Sequence, residues 1–434
     1  MAMLDRLYGM ATRAAASALH VATPFNAKLA RGVAARRDAL AHIESWARTA
    51  RDPARPLVWL HAPSVGEALM AQAIAASLRS RHPELQLALT IFSPSAERVL
   101  DHMPVDVSGY LPWDTPREAV ATARALRPAA VGFVRTEVWP LMMAAAQRGG
   151  ARVALVNAVL APSSSRLRWP ARALLSDVYA QLDAVGVVSD AHASRFRLLG
   201  VMPGQMQVTG DARFDQVLRR VAAIDRASPM LQCLRGDTRT VLVAGSTWPL
   251  DERALVTGVG ALVREGRLRL VVAPHEPGPA HLEALEAMLN AATLPHARLS
   301  AVEQGSAAND APVILVDRLG VLADLYAAAD MAYIGGGFGD AGLHSVVEPA
   351  ALGVPVICGP RHGNAIEAAE LARSGGCVLV VSADALGAQV EAWLSDAPAR
   401  AAAGDAAQAF TQARAGGADA NALLLAGLAG LAPR

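Results

Sequence analysis

Short apolar segments alternate with helical segments along most of the 434-residue chain. The first apolar segment is Leu57–Leu60, and similar segments recur as far as Val378–Val381. Continuous apolar runs of this length are typical of strands buried on both faces, and intervening helices are the usual connections between parallel strands. The sequence therefore predicts an α/β protein built on doubly wound parallel sheets.

The chain is long for a single hydrophobic core, so we expect two domains. Aromatic residues make up only 4% of a composition that is 53% hydrophobic, which fits alanine-rich helices packed on parallel sheets. The strand–helix alternation is interrupted by a more polar stretch near residues 211–239. The predicted divisions are an amphipathic helical segment 1–46, a Rossmann-like acceptor-side domain 47–214, a linker 215–239 and a Rossmann-like nucleotide-sugar domain 240–434 that includes the terminal helices.

Composition and residue spacing argue against several classes of partner. The formal net charge is +1, which gives no reason to expect a nucleic-acid partner. Cys233, Cys358 and Cys377 are far apart and lack metal-ligand spacing, so we interpret them as core residues of a reduced cytosolic protein. No cluster of carboxylates has ligand spacing either, and we expect neither a metal nor another cofactor.

The N-terminal segment has the pattern of an amphipathic helix. Arg6 and Arg13 interrupt it and Pro24 ends it, which argues against a signal peptide or a membrane-spanning helix. Two interpretations are open: the helix lies on an anionic bilayer surface, or it docks on its own domain. The residues of its apolar side are Leu4, Leu7, Tyr8, Ala11, Ala15, Ala18 and Leu19.

A glycine-rich stretch from Ala332 to Pro360 is the strongest candidate for a ligand site. Its pattern predicts a strand, a glycine loop, a helix that begins near Leu343–His344 and a second strand. Gly336 and the neighbouring glycines allow a sharp turn close to a ligand, and the helix would present unpaired N–H groups to a phosphate. Glu348 would share a helical face with His344. We interpret the stretch as a nucleotide-sugar site, with an ordinary strand–loop–helix turn as the alternative.

Polar side chains follow two other predicted strands in the second half of the chain. Ser246 and Thr247 come after one strand, and His275 follows the next. Ligands of parallel sheets bind at such carboxyl ends. The two hydroxyls either contact a phosphate or cap the following helix, and His275 and His344 either donate to a phosphate or have structural roles.

Two carboxylates have equivalent positions in the first half of the chain. Glu67 and Glu137 each follow a predicted strand. Glu67 either stabilises a helix start through its charge or acts as a general base. If the strand ends of two lobes face one cleft, a carboxylate of the first lobe reaches a nucleotide sugar held by the second. It could then accept the proton of an acceptor hydroxyl or stabilise an oxocarbenium-like transition state.

Several motifs, in order along nearly the whole chain, resemble those of the Kdo transferases, the 3-deoxy-D-manno-octulosonic acid transferases of lipopolysaccharide synthesis. Agreement of many motifs in one order is stronger than agreement of any one of them. The motifs are ARGVAARR at 30–37, HAPSVGE at 61–67, YLPWD at 110–114, TEVWP at 136–140, VNAVLAPSSSR at 156–166, TGDARFD at 209–215, AGSTWPLDE at 244–252 and GGGFGDAGLHSVVEPAALGVPVICGP at 335–360.

The resemblance implies the GT-B glycosyltransferase fold, in which two Rossmann-like doubly wound parallel-sheet lobes face one cleft. It implies inverting transfer of Kdo from CMP-Kdo to a lipid A precursor, without a metal, by a peripheral enzyme at the cytoplasmic face of the inner membrane. It also favours an anionic membrane surface as the partner of the N-terminal helix.

Carried over by position, the resemblance implies a catalytic base at Glu67 and a second conserved-motif acid at Glu137. In the same way, Glu348 would hold the ribose hydroxyls of the donor. The full set of implied donor-binding residues is Ser246, Thr247, His275, Gly336, His344, Ser345 and Glu348.

The sequence departs from the family pattern mainly on the donor side. Ala273-Pro274-His275 stands where Pro-Arg-His is usual, so an expected arginine is absent, and Leu343-His344-Ser345 stands where Gly-His-Asn is usual. Trp248 replaces a histidine, and Arg213 replaces a lysine with a change of geometry. The identity of the donor is therefore more open than the fold.

Three other functions are compatible with the pattern. A divergent GT-B transferase would use another sugar nucleotide or acceptor. A sugar-nucleotide epimerase has the same two lobes but would turn over without an acceptor. A two-lobed solute-binding protein is disfavoured by the lack of a signal-peptide pattern and would have no use for Glu67.

Overall fold

The structure is a computed structural model that describes residues 8–10, 12, 27–235, 238–305 and 310–432. It divides into two compact units. The first comprises Met1–Gln216 together with Ala415–Arg434, and the second comprises Val217–Arg414. None of the described helices is long and apolar enough to cross a membrane.

The first unit is built on a sheet that has seven strands within the described residues. Every neighbouring pair is parallel. The order across the sheet is β3-β2-β1-β4-β5-β6-β7, so the chain builds outward from β1 in one direction and then from β4 in the other. The strands are β1 Leu57–Ala62, β2 Gln86–Ile91, β3 Val107–Tyr110, β4 Ala130–Val134, β5 Arg152–Ala158, β6 Ala184–Val187 and β7 Met206–Val208.

Helices cover both faces of this sheet. Leu57 and Trp59 of β1 are buried on one face, and Val58 and Leu60 are buried on the other, where Ile74 packs. Burial on both faces explains why β1 is apolar at most of its positions. The helices are α1 Ala27–Arg37, α2 Ala39–Thr49, α3 Val65–Arg81, α4 Glu97–Leu100, α5 Pro116–Leu126, α6 Pro140–Arg148, α7 Ala171–Ala180, α8 Asp190–Arg197 and α9 Ala212–Ala222, which contains the boundary between the units.

The second unit has its own seven-stranded sheet in the described part of the chain, again with parallel neighbours throughout. The order is β10-β11-β9-β8-β12-β13-β14. The strands are β8 Thr240–Thr247, β9 Leu268–Pro274, β10 His296–Arg298, β11 Val313–Leu315, β12 Met331–Ile334, β13 Val356–Cys358 and β14 Cys377–Leu379. The helices are α10 Pro229–Leu234, α11 Pro249–Arg264, α12 Pro279–Ala291, α13 Leu299–Glu303, α14 Leu322–Leu325, α15 Val347–Ala351, α16 Ile366–Arg373, α17 Ala383–Ser395 and α18 Ala397–Gln412.

The strand order of each sheet reverses beside its first strand, and such a reversal leaves a crevice at the carboxyl ends of the strands. In the second sheet the order also changes direction at β11, since β10 lies outside it. In the first unit the reversal lies between β1 and β4, and in the second it lies between β8 and β12. The segments that leave β1, β4 and β12 contain Glu67, Glu137 and the glycine loop. Ser246 and Thr247 are the last two residues of β8, so the prediction that they follow this strand is wrong. The topology of each unit therefore places its own predicted site residues at its own crevice.

The predicted fold class, α/β with two doubly wound parallel sheets, is confirmed. Strand β10 has no counterpart in the sequence prediction, because its three residues are mixed in polarity and only half-buried. The helix predicted to begin near Leu343–His344 is wrong in its start, since α15 begins at Val347. Asn364 holds the backbone of Leu343 in a non-helical conformation through bonds of 2.9 Å to its N–H and 2.9 Å to its carbonyl.

The N-terminal amphipathic helix falls mostly outside the described residues. Among those that are described, Tyr8 is half-buried against the core of the first unit and shares a hydrogen bond with Asp114. Asp114 also accepts bonds from the N–H groups of Leu141, at 3.3 Å, and Met142, at 2.8 Å, at the start of α6. Burial raises the pKa of Asp114 to about 6.

The last helix, α19 Gly417–Leu428, belongs to the first unit, whereas the sequence analysis placed residues 415–434 with the second. Its buried Asn421 accepts a hydrogen bond of 2.9 Å from the N–H of Asn157 at the end of β5. Asp419 accepts a bond of 2.5 Å from Ser77 of α3. Its apolar residues, including Leu425, complete the core on one face of the first sheet.

We expect Leu425→Ala to destabilise the first unit by about 2–5 kcal/mol, because Leu425 is fully buried and its removal leaves a cavity. Leu423 of the same helix is 37% exposed and provides the matched control. Urea unfolding followed by tryptophan fluorescence measures both variants. Equal stability of the two variants would contradict the packing of α19 on the first sheet.

Candidate active site

Glu67 lies in the first turn of α3, directly after the crevice end of β1. The sequence Ser64-Val-Gly-Glu67 has the spacing of a capping box, but the Ser64 hydroxyl makes no backbone cap and instead donates to Oε2 of Glu67. The carboxylate is half-buried. A hydroxyl that holds one oxygen leaves the other oxygen available to accept a proton.

Glu137 lies at the end of the neighbouring strand, β4, and is also partly exposed. Burial raises its pKa, Arg166 lowers it, and the negative charge of Glu67 raises it. The guanidinium Nη2 of Arg166 is 3.9 Å from Oε1 of Glu137. The two predicted carboxylates are therefore close enough to interact, and a cation stands beside the second one.

A pocket of about 370 Å³ opens beside Glu137. Arg166 and Ser165 supply polar groups, and Tyr179, whose hydroxyl donates to the Thr136 carbonyl at 2.6 Å, forms part of the wall. The apolar wall consists of Tyr8, Val138, Trp139, Ala171, Leu175 and Val178. An amphipathic molecule that carries an anionic or hydroxylated group matches this lining.

His61 lies in β1, the strand that ends shortly before Glu67. It is fully buried and has a structural role rather than a role in proton transfer. Its Nδ1 is 3.0 Å from the Thr90 hydroxyl, and its ring lies edge-on to Phe133 and Trp139. Burial lowers its pKa to about 3, so the imidazole is neutral near pH 7. His61 thus packs beneath the segment that carries Glu67.

In the second unit, three rings form a stack at the crevice. His275 follows β9 and stacks on Trp248, with ring centroids 4.8 Å apart. The ring of His344 contacts both of the others: its centroid is 4.5 Å from that of His275, and its Nε2 accepts a bond of 3.4 Å from the indole N–H of Trp248. Burial lowers the pKa of His344, and the neighbouring His275 lowers it further. The structure thus brings together two predicted donor-binding histidines.

The glycine loop is held by a buried carboxylate that the sequence analysis missed. Asp251 of α11 is fully buried and accepts the N–H of Gly336 at 2.8 Å and that of Phe338 at 3.2 Å. It also accepts the Tyr333 hydroxyl at 2.7 Å and the N–H of Trp248 at 3.0 Å. Four donors balance one buried charge, and the loop conformation depends on them.

Gly336 therefore has a different role from the one predicted. Its φ of 91° favours glycine, and a Cβ there would lie 2.0 Å from the Gly342 carbonyl oxygen. Its N–H donates to Asp251 and is not available to a phosphate. Nor does α15 supply the predicted helix start next to His344, because it has five residues and begins three positions later.

The other predicted donor-binding residues differ in accessibility. Thr247 is fully buried and its hydroxyl donates to Glu252 at 2.9 Å, so its side chain does not reach a ligand. Ser246, at a φ of 53°, is half-buried. Ser345 is exposed and Glu348 is half-buried. His344 and Glu348 do not share a helical face, since only Glu348 lies in α15.

The sequence contained partial signals for the residues that were missed. Asp251 lies within the AGSTWPLDE motif, yet nothing local indicates that its partner is the loop 85 residues later. Arg166 closes the VNAVLAPSSSR motif, and its approach to Glu137 depends on the fold. Ser64 precedes Glu67 by three residues, a spacing that fits a helix cap as well as a partner of the carboxylate.

Comparisons with known proteins identify the family of the chain. A family model described as 3-Deoxy-D-manno-octulosonic-acid transferase (kdotransferase) matches residues 36–216. A 3-deoxy-D-manno-octulosonic acid transferase of Bordetella pertussis is 33% identical over 383 residues, which cover 85% of this chain and 86% of the relative. One of Chlamydophila psittaci is 30% identical over 334 residues, or 75% of this chain and 74% of the relative.

Solved structures share the fold at low sequence identity. UDP-GlcNAc 2-epimerase of Neisseria meningitidis has a TM-score of 0.61 and 13% identity, and covers 85% of this chain and 99% of its own. A glycosyltransferase of Rickettsia africae has a TM-score of 0.57 and 12% identity, and the match covers 86% of this chain and 98% of the glycosyltransferase. These neighbours support the predicted GT-B class for the fold alone. The sequence relatives decide the family: the chain belongs to the 3-deoxy-D-manno-octulosonic acid transferases, the glycosyltransferases of lipopolysaccharide core synthesis.

Proposed function

We propose that this enzyme transfers Kdo from CMP-Kdo to a lipid A precursor with inversion at the sugar, and that Glu67 is the general base. The observation that carries the proposal is the half-buried Glu67 carboxylate, which Ser64 orients at the crevice end of β1. Family membership supports the sugar and its nucleotide carrier. The acceptor-binding role is assigned to the first unit and the donor-binding role to the second, with residues 215–239 as their connection.

The proposed reaction is a single displacement. Glu67 takes the proton of an acceptor hydroxyl, the acceptor oxygen forms a bond to the anomeric carbon, and the bond from that carbon to the CMP phosphate oxygen breaks. The electron pair leaves with CMP. Because the transition state has oxocarbenium character, the second carboxylate, Glu137, stabilises the developing positive charge or holds an acceptor hydroxyl.

The donor is assigned to the histidine stack and the residues near it. His275 and His344 present ring N–H groups, Ser246 and Ser345 present hydroxyls, and Glu348 is proposed to hold the ribose. Gly336 and Thr247 contribute through the loop and through Glu252, not by side-chain contact. This assignment replaces the predicted helix start as the source of hydrogen bonds to the phosphate.

The acceptor is assigned to the pocket beside Glu137. A lipid A precursor carries phosphate groups, hydroxyls and acyl chains. Arg166 offers a cation for an anionic group, and the apolar wall around Trp139 and Leu175 offers a surface for hydrocarbon. The chemistry of the lining therefore supports an amphipathic acceptor.

A peripheral position at the cytoplasmic face of the inner membrane is part of the proposal. Trp169 is 85% exposed and Leu174 is 53% exposed, and both are next to the segment that lines the pocket. Exposed arginines, Arg168 and Arg172, flank Trp169. Exposed aromatic and basic residues together favour the surface of an anionic bilayer. The segment 1–46 remains a second proposed contact with that surface.

Replacing Glu67 with Gln is expected to lower kcat by roughly two to four orders of magnitude, because the amide cannot accept the acceptor proton. Binding of CMP should stay within about twofold of the parent value, since Glu67 is not among the proposed donor-binding residues. Mass spectrometry of the lipid product measures transfer, and calorimetry measures CMP binding.

The control for this variant is Asp177→Asn, which removes an exposed carboxylate from α7 of the same unit. It should retain parent activity. Turnover by Glu67→Gln at the parent rate would exclude Glu67 as the base. Turnover of the donor without any acceptor would instead favour an epimerase, and transfer of a different sugar acid in a parallel assay would favour a divergent transferase.

Asp251→Asn is expected to weaken CMP binding at least about tenfold, or by roughly 1.4 kcal/mol, because an amide cannot accept four hydrogen bonds and the glycine loop loses its anchor. Asp396→Asn is the control, since Asp396 accepts the N–H of Ala399 at 2.9 Å in a helix cap of the same unit. Calorimetry with CMP compares the two. Equal CMP affinity would exclude a role for Asp251 in donor binding.

The double variant Trp169→Ser/Leu174→Ser is expected to reduce binding to anionic vesicles by about tenfold, since both apolar side chains would leave the bilayer interface. Leu198→Ser/Met202→Ser removes two apolar side chains of the same unit that are 51% and 65% exposed and serves as the control. Flotation with phosphatidylglycerol vesicles measures both. Unchanged flotation of the first variant would exclude this surface.

A further inference from the structure

An arginine-lined cavity lies at the edge of the first sheet opposite to Glu67. It is formed by the C-terminal ends of α2 and α5 and by the segments that lead into β1 and β4, so it faces the amino ends of the strands. Its volume is about 520 Å³. Neither the proposed transfer reaction nor the family motifs use these residues.

The lining is strongly cationic. Arg48 and Arg51 come from the end of α2, and Arg124 and Arg127 come from the end of α5. Glu44 is the acidic residue of the lining. Four guanidinium groups against one carboxylate leave a formal excess of three positive charges around one cavity.

Arg51 provides a fixed floor for the cavity. Its Nε donates to the carbonyl of Leu126 at 2.8 Å, and its Nη2 donates to that of Arg127 at 3.1 Å. These carbonyls are at the C-terminal end of α5, where a helix would otherwise present partial negative charge. Its Nη1 donates at 2.8 Å to the Gln86 side chain. The bonds of Arg51 therefore remove acceptors that would repel an anion.

The other three arginines are free to bind a ligand. Within the described ranges, the side chains of Arg48, Arg124 and Arg127 have no hydrogen bond or ion pair, and Glu44 forms none with them. Arg127 also has a φ of 45°, a left-handed conformation that costs a non-glycine residue about 1 kcal/mol at a helix end. An arginine thus occupies a position where glycine is usual, and its side chain is one of the four guanidinium groups that line the cavity.

The positive charges around the cavity act on one another. Burial lowers the pKa of Arg51, and the positive charges of Arg127 and Arg55 lower it further against the opposing effect of Asp52. An anion placed among the guanidinium groups would relieve this repulsion. Guanidinium groups match the oxygens of phosphate in pairs, which makes phosphate the anion that suits them best.

We propose that this cavity binds a phosphate group that carries at least two negative charges, as in a diphosphate or a phosphate monoester. The volume is within the range of small-molecule sites. The described lining contains no aromatic side chain on which a base could stack, so the charged phosphate supplies the recognition. The phosphate can belong to a soluble molecule or to a lipid headgroup, and the chemistry at the cavity is the same.

The test uses the full chain and inorganic pyrophosphate as the probe. Calorimetry at low salt should show saturable binding, and Arg48→Gln/Arg124→Gln should weaken it at least about tenfold, because two of the charge-assisted contacts are lost. Arg117→Gln/Arg197→Gln makes the same change in net charge at exposed positions outside the cavity and should bind like the parent. Any pyrophosphate bound at the donor-side residues is common to all three proteins.

A second arm separates the two sources of phosphate. Sedimentation with phosphatidylcholine vesicles that contain phosphatidic acid is compared for the same three proteins. If the parent does not bind pyrophosphate and only the cavity variant loses vesicle binding, the site is assigned to a lipid headgroup. If the cavity variant equals the control in both arms while circular dichroism shows all three folded, the proposal is overturned. Loss of pyrophosphate binding in the cavity variant supports a soluble ligand.

Discussion

Parallel strands impose the constraint on which both units depend. All carboxyl ends of a parallel sheet meet at one edge, and a reversal of strand order opens a crevice there. The reversal between β1 and β4 brings Glu67 and Glu137 near each other, although 70 residues separate them in sequence. The reversal between β8 and β12 does the same for Trp248 and the glycine loop. Candidate chemistry in each unit therefore follows from topology before any particular side chain is considered.

The two units use carboxylates in opposite ways at equivalent places. Glu67 is half-buried and has the Ser64 hydroxyl on one oxygen, so it retains the capacity to accept a proton. Asp251 is fully buried, and its two oxygens accept four donors, so it organises the backbone of the glycine loop. The number of donors around a carboxylate, and not its position after a strand, distinguishes a candidate base from a structural anchor.

The sequence predicted what depends on local pattern. Apolar runs predicted most of the strands, and Glu67, Glu137 and His275 follow strand ends as predicted. The remaining features depend on contacts between distant residues. Asn364 sets the backbone 21 positions earlier and delays α15, and Asn421 reaches a strand end 264 positions away. Asp251 belongs to this class too. Periodicity carries no information about such partners, so neither the late helix start nor the placement of α19 could be read from the chain.

The histidine stack contains residues at which this sequence departs from the family pattern on the donor side. With Trp248 in place of the usual histidine, its indole N–H donates to His344 Nε2 and its ring supports His275. Burial lowers the pKa of His344, and His275, whose ring centroid is 4.5 Å away, lowers it further. Near neutral pH, His344 therefore offers a neutral N–H group where the family pattern has an arginine nearby. If the proposed donor phosphate binds here, it would favour protonation of His344, so CMP affinity is expected to rise as the pH falls through the pKa of His344.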